Sequence, residues 1–204
     1  MKKLIILFFL LPNFLLAQDT IPNNGFDNWS FTGNYIDPDN WRTSNIFQDM
    51  LLAIEVADTT IPFNTFNGSH SLRLETKYIG FPQNQIVPGI ATTGNLDLLF
   101  NFSGGSPLVI RPVSFSGWYK YIPVNGDTAF FTITLKANGT DTIGYAQFFE
   151  TDTVTQYSYF DIPIQYYSQA NPDTAEIIIQ SSSLNSPQQG SSLLVDELSF
   201  DRNS

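Results

Sequence analysis

Val113-Ser114-Phe115-Ser116-Gly117-Trp118-Tyr119-Lys120-Tyr121 alternates strictly: Val, Phe, Gly, Tyr and Tyr occupy the odd positions, Ser, Ser, Trp and Lys the even ones. A period of two is the signature of a strand with one apolar face. The same alternation recurs in both directions. Phe131, Ile133 and Leu135 alternate with Thr132, Thr134 and Lys136, and Phe160, Ile162 and Ile164 with Tyr159, Asp161 and Pro163. Ser71 to Glu75 repeats it over a shorter length, while 176–180 and 193–200 are apolar almost throughout, as expected of strands buried on both sides. Turn dipeptides separate these runs: Asn67-Gly68, Gly104-Gly105, Asn125-Gly126, Asn138-Gly139 and Asn171-Pro172. Asn138-Gly139 joins two strand-like runs directly and predicts a hairpin. Helical spacing is scarce, with one helical turn expected around 47–56. Many short strands spaced by turns predict an all-β chain, a single antiparallel β-sandwich of jelly-roll type, with a barrel as the alternative closure.

Composition removes several function classes. The 204 residues contain no cysteine, so disulfide frameworks, thiolate nucleophiles and Cys-based zinc or Fe–S sites are excluded. A single histidine, His70, excludes a metal site built on two imidazoles. Nineteen acids against nine bases argue against nucleic acid as a partner, which would need clustered Lys and Arg. Lys2-Lys3 followed by the apolar run Leu4–Leu16 and Ala17-Gln18 reads as a secretory signal peptide over residues 1–17. Pro12 and Asn13 interrupt that run, which disfavours a membrane anchor, and no cysteine follows it to take a lipid. Loss of Lys2 and Lys3 would lower the net charge from −10 to −12. The expectation is therefore a single domain over 18–204 with no membrane span after cleavage, exported to the periplasm, cell surface or exterior of a Gram-negative bacterium.

Enzymatic signals are thin. His70 sits in the turn Asn67-Gly68-Ser69-His70-Ser71, no G-x-S-x-G is present, and the acids show no spacing that singles out a glycosidase pair. Two acids stand apart. Asp196 has strand parity with Leu198 and Phe200, which predicts an inward carboxylate that must be paired, hydrogen-bonded or metal-bound. Asp27 lies between Asn24-Gly25-Phe26 and Asn28-Trp29. If the first and last strands pair, Asp27 and Asp196 would converge on one hard cation, and an all-oxygen donor set points to calcium. The alternative is that Asp196 accepts backbone N–H groups or belongs to a β-bulge. Aromatic residues form the other constellation. Trp118 and Lys120 share a polar face, Phe130 lies with Thr132 and Thr134, and Tyr157, Tyr159 and Asp161 alternate away from the apolar side of their strand. Flat rings beside hydrogen-bonding side chains suit sugar rings, so these six residues are the expected ligand-binding set, with glycan or polysaccharide as the partner. Packing under loops or beneath a second sheet is the competing explanation, and Trp29 and Trp41 are expected in the core. Asp-Thr followed by a small or aliphatic residue occurs at 19, 127, 141, 152 and 173. It is similar to an O-glycosylation acceptor and equally a good turn-to-strand junction.

With Arg111 to Tyr121, Pro172-Asp173-Thr174-Ala175-Glu176-Ile177, Ser181-Ser182-Ser183 and Gly190 to Asp196 in view, the chain resembles the putative carbohydrate metabolism domain family, a jelly-roll group of secreted bacterial proteins. Asn24 to Trp29 with Trp41, and Gly68 to Leu74, are similar to the start of that family and of carbohydrate-binding jelly rolls in general. The resemblance covers most of residues 18–204. It implies a carbohydrate-related sandwich and a structural calcium between the first and last strands, where Asp27 and Asp196 would fall. It implies no catalytic motif. The expected activity is non-catalytic glycan binding, ahead of a structural or adhesive domain contacting other cell-surface proteins, with a glycoside hydrolase or lyase third.

Overall fold

A computed structural model describes residues 21–48, 55–59, 64–80 and 84–202. The expected signal peptide, the first Asp-Thr pair and most of the expected helical turn at 47–56 lie outside them. Along the chain come Trp29–Thr32 (β1), Tyr35–Pro38 (β2), Arg42–Thr43 (β3), a 3-10 turn Ser44–Ile46, Ala57–Thr59 (β4) and Leu72–Glu75 (β5). Lys77–Ile79 (β6), Gln85–Val87 (β7), Ile90–Thr92 (β8), Asn95–Leu96 (β9), Phe102–Ser103 (β10) and Ser106–Pro107 (β11) follow. The long strands are Ser114–Ile122 (β12), Ala129–Ala137 (β13), Asp141–Glu150 (β14) and Val154–Pro163 (β15), then Gln165–Tyr166 (β16), Thr174–Gln180 (β17) and Ser192–Asp201 (β18).

Two antiparallel sheets form the sandwich. A seven-stranded sheet runs β16-β14-β13-β17-β8-β3 with β11 paired to β17, and a five-stranded sheet runs β15-β12-β18-β5-β4. The odd row of the opening stretch faces inward as expected: Phe115, Tyr119 and Tyr121 are buried against Phe131, Ile133 and Leu135 of β13, Ile177 and Ile179 of β17 and Phe160 of β15. Rings fill the gap between the sheets, with Phe131–Phe160 centroids 4.9 Å apart and Phe148 stacked on Phe160 at 5.6 Å. Trp41 anchors the N-terminal segment, its indole N–H donating to the Pro22 carbonyl at 2.8 Å and its ring 5.1 Å from Phe26. Trp29 packs on the core from a half-buried position.

Asn138-Gly139 makes the expected hairpin between β13 and β14. Both residues have positive φ (54° and 73°), the requirement of the primed turn that matches strand twist. The segment 181–191 is the loop between β17 and β18.

The expected inward parity of Asp196 is corrected by a bulge. Along the β12–β18 pairing, Ser116 faces Ser199 and Trp118 faces Asp196, so two residues of β12 span three of β18. The extra residue, Glu197, has φ 49°. Strict alternation from Leu193 and Val195 would drive Glu197 into the core; the bulge skips it and turns Leu198 inward instead. Asp196, in step with Leu194 rather than with Leu198, stands on the outer face beside Trp118. Leu198 lies under Gly117, the one gap in the inward row of β12. A Cβ there would sit 2.8 Å from Leu198 Cδ2 and 3.0 Å from Phe160 Cζ. Gly117→Ala should therefore cost about 1–3 kcal/mol and lower the melting temperature by several degrees, whereas Gly80→Ala, whose Cβ would meet nothing within 4 Å, should change it little. Equal melting curves for the two variants would contradict this packing.

Candidate functional site

The outer face of the five-stranded sheet holds five of the six expected binding residues. Trp118 and Tyr159 are cross-strand partners with centroids 5.3 Å apart, and Asp161 faces Ser116 one step along. Lys120 Nζ lies 4.4 Å from the centroid of the Tyr157 ring. Sequence reasoning missed the loop that lies on this face. Phe66 stacks on Trp118 at 4.0 Å, nearly parallel at 15°, and meets Tyr157 edge-on at 5.7 Å. The Tyr157 hydroxyl is fixed in turn, 2.8 Å from the Asn64 carbonyl and 3.0 Å from Ser71 Oγ. One ring face of Trp118 is thus occupied by the protein itself, and Tyr159, 54% exposed, and Phe66, 42% exposed, are the open aromatics of the group.

The two singled-out acids hold that same loop. Asp196 Oδ2 accepts the N–H groups of Phe66 at 2.9 Å and Asn67 at 3.1 Å, and Oδ1 accepts that of Glu197 at 2.8 Å. Asp27 Oδ1 accepts from the Ser69 N–H at 2.7 Å, the Ser69 hydroxyl at 2.9 Å and the His70 N–H at 2.9 Å. Burial pushes the Asp196 carboxyl up to about 6 against the pull of its N–H donors. Partial burial also acts to raise Asp27, but the donors from Ser69 and His70 outweigh it and hold that carboxyl below the usual range. Ser69 Oγ is also 2.9 Å from His70 Nδ1. The serine hydroxyl therefore bridges carboxylate and imidazole, whereas a nucleophilic triad needs the imidazole between the other two. Gly25 lies where the acids approach each other. A Cβ built there would be 3.0 Å from Glu197 Oε1, 3.7 Å from Asp196 Oδ1 and 3.8 Å from Asp27 Oδ2. Among the described residues no three His, Asp or Glu side chains form a ready metal cluster.

Phe130, the sixth expected binding residue, is on the other sheet, which corrects the idea of one shared face. It belongs to β13, and the hairpin register sets it between Phe149 of β14 and Gln180 of β17. Thr132 lies in the next row between Gln147 and Ile178, and Thr134 between Tyr145 and Glu176. Phe149 is 62% exposed. Phe130, Gln147 and Gln180 line a cleft of about 230 Å³ walled by Ser183, Leu184 and Asn185. Gln180 Nε2 is buried there without a hydrogen-bond partner among the described residues, an unmatched amide donor. A larger cleft of about 510 Å³ opens where β3 and β8 meet the 93–105 segment, among residues such as Asp39, Arg42 and Asn95. The hairpin at Asn138-Gly139 was the available signal for Phe149 and Gln147. Gln180 required the β13–β17 pairing, which sets it opposite Phe130, fifty residues earlier, and leaves no local trace.

No protein-family model matches the chain, and no curated protein does. Solved structures match its fold. A protein from Bacteroides thetaiotaomicron described as a putative glycoside hydrolase superposes with a TM-score of 0.69 at 18% identity, over 89% of this chain and 71% of that one. A second protein so described, from Bacteroides vulgatus, gives 0.62 at 16% identity over 90% and 94%. The carbohydrate-binding module TmCBM61, solved with β-1,4-galactotriose, gives 0.51 at 10% identity over 92% and 100%. At these identities the likeness establishes the all-β sandwich, a fold that such carbohydrate-related domains share.

Because Asp196 and Trp118 both secure Phe66, Asp196→Ala should release the loop. Acrylamide quenching of tryptophan fluorescence should rise, and the rise should vanish in a Trp118→Phe background. Unchanged quenching in Asp196→Ala would show that the loop is held otherwise.

Proposed function

We propose that the chain is an exported, non-catalytic glycan-binding sandwich whose ligand lies on the outer face of the seven-stranded sheet. The observation that carries this reading is the cleft joining Phe130 to the amides of Gln147, Gln180 and Asn185, the buried Gln180 Nε2 having no hydrogen-bond partner among the described residues. A ring face for C–H stacking and amides for lateral hydroxyl contacts are the two things a sugar needs. Trp118, Lys120, Tyr157, Tyr159 and Asp161 form the rival face. There Phe66 already takes the place a sugar ring would occupy on Trp118, so Tyr159 and Phe66 itself are its available aromatic contacts. The galactotriose bound in TmCBM61 makes β-1,4-galactan a sensible first probe within a panel of neutral polysaccharides. In affinity electrophoresis, Phe130→Ala and Gln180→Ala should each weaken retardation by about tenfold, equivalent to about 1.4 kcal/mol, while Trp118→Ala retains it. The reverse pattern would transfer the site to the Trp118 face. No retardation by any polysaccharide would sink the reading.

A structural calcium at Asp27 and Asp196 is part of the proposal. Three carboxylate oxygens approach Gly25 from Asp27, Asp196 and Glu197, the donors are all oxygen, and Asp196 is a fully buried acid whose charge a divalent cation would offset. The ion would tie the start of the chain to its last strand. Calcium should raise the melting temperature, a chelator should lower it, and Asp196→Asn should lose the response. Identical melting with calcium and with chelator would remove the ion from the account.

A further inference from the structure

The 510 Å³ cleft at the β3–β8 end of the seven-stranded sheet is distinct in chemistry from the Phe130 cleft. Its lining is polar: Ser30, Asp39, Asn40, Arg42 and Asn95 supply side chains, and Gly94, Gly104 and Gly105 supply bare backbone. The glycine walls are obligatory. A Cβ on Gly94 would sit 2.5 Å from the Ser103 carbonyl, and one on Gly105 2.6 Å from the Ala175 carbonyl. Beneath Gly94 lies Glu176, whose Oε2 is paired with Lys136 at 3.0 Å while its Oε1 is buried and has no partner among the described residues. That free oxygen is 3.2 Å from the position of the missing Gly94 Cβ, so an unmatched acceptor abuts the cleft wall.

Arg42 is the unusual member. Positive charge is scarce in this chain, and the described cations are mostly committed. Arg73, Lys77 and Lys136 are in ion pairs, and Arg111 and Lys120 lie over tyrosine rings. Arg42 is exposed, and its charge reaches buried Asp37, yet its guanidinium makes no hydrogen bond or ion pair among the described residues. It stands opposite Thr92, which is paired in turn with Ile178, and so points to the same outer face as the proposed glycan surface. A cleft of this size, with hydroxyls and amides for a polyhydroxylated ligand and one uncommitted guanidinium, matches an oxyanion on a sugar.

We propose that this cleft binds an anionic sugar residue, with Arg42 holding its carboxylate or sulfate oxygens in a bidentate contact. The inference rests on the glycan-binding reading but uses separate residues. Binding should therefore separate into a neutral part that depends on Phe130 and an anionic part that depends on Arg42. General charge works against the anionic part, since a chain of net charge −10 repels polyanions; retention of one requires a local site.

The test is affinity electrophoresis of the full chain in gels containing polygalacturonate, dextran sulfate or neutral β-1,4-galactan. Polygalacturonate, dextran sulfate or both should retard the chain, and which of them does so identifies carboxylate or sulfate as the ligand group. Arg42→Gln should weaken that retardation by about tenfold or more, Arg42→Lys by less, and both should leave galactan behaviour and the melting temperature unchanged. Absence of retardation by either polyanion, or Arg42→Gln binding them as the parent does, overturns the proposal. If galactan is still bound in that case, the Phe130 face stands without the cleft. If polyanion binding is lost in Arg42→Gln while no neutral glycan is ever bound, the cleft stands and the Phe130 reading falls.

Discussion

One displaced residue in the last strand organises much of this molecule. Glu197 cannot enter the core, and inserting it as a bulge lets Leu198 occupy the space left by Gly117 between the sheets. The same step leaves Asp196 on the outer face beside Trp118, out of phase with Leu198. A carboxylate on that face would ordinarily be solvated, but here it is fully buried because the 66–70 loop lies over it and donates two N–H groups. Phe66 is carried onto Trp118 by the contact. The two sides of β18 meet at this bulge: Leu198 packs inward between the sheets, while Asp196 holds the loop that carries Phe66 onto Trp118.

That covering makes the two outer faces unequal. On the five-stranded sheet, the Asp58–Arg73–Glu75–Lys77 ion pairs occupy one end and the Phe66 loop occupies the Trp118 region. Asp196, Tyr157 and Arg73 there are matched by groups of the same chain. On the seven-stranded sheet the protein leaves groups unmatched: Gln180 Nε2 in one cleft, Glu176 Oε1 behind the wall of the other, and Arg42 at its rim. Buried polar atoms without partners are costly; among the described residues, those of Gln180 and Glu176 lie beside these two clefts, while Asp37 Oδ2 and Gln48 Nε2 are unpaired away from them.

The architecture was legible because alternation is a local property. Phe115, Tyr119 and Tyr121 announce their strand within nine residues, and Asn138-Gly139 needs only two positive φ angles to declare a hairpin. Asp196 was misjudged in direction because a bulge changes parity without changing composition; its buried state and its backbone partners were both anticipated as one of two alternatives. Trp118 was correctly placed on the outer face, but nothing near it in sequence shows that Phe66, about fifty residues earlier, lies across it. Phe130 was grouped with Trp118 because both are outward aromatics, and only the strand order reveals that they face opposite solvents.

The charge distribution adds a last step. An acidic chain normally disperses its few cations among its acids, as Arg73, Lys77 and Lys136 show. Arg42 breaks that habit although Asp39 lies in the same cleft, where Asp39 Oδ1 instead accepts the Ser30 hydroxyl at 2.6 Å. Two opposite charges lining one cleft without pairing leave both available to a third party. A neutral ligand would gain little from an unpaired guanidinium, since the cation would have to give up water for weaker partners. An anionic one would replace that water with a charge-assisted contact, and the net negative charge of the surrounding protein would keep the contact confined to the place where the arginine stands.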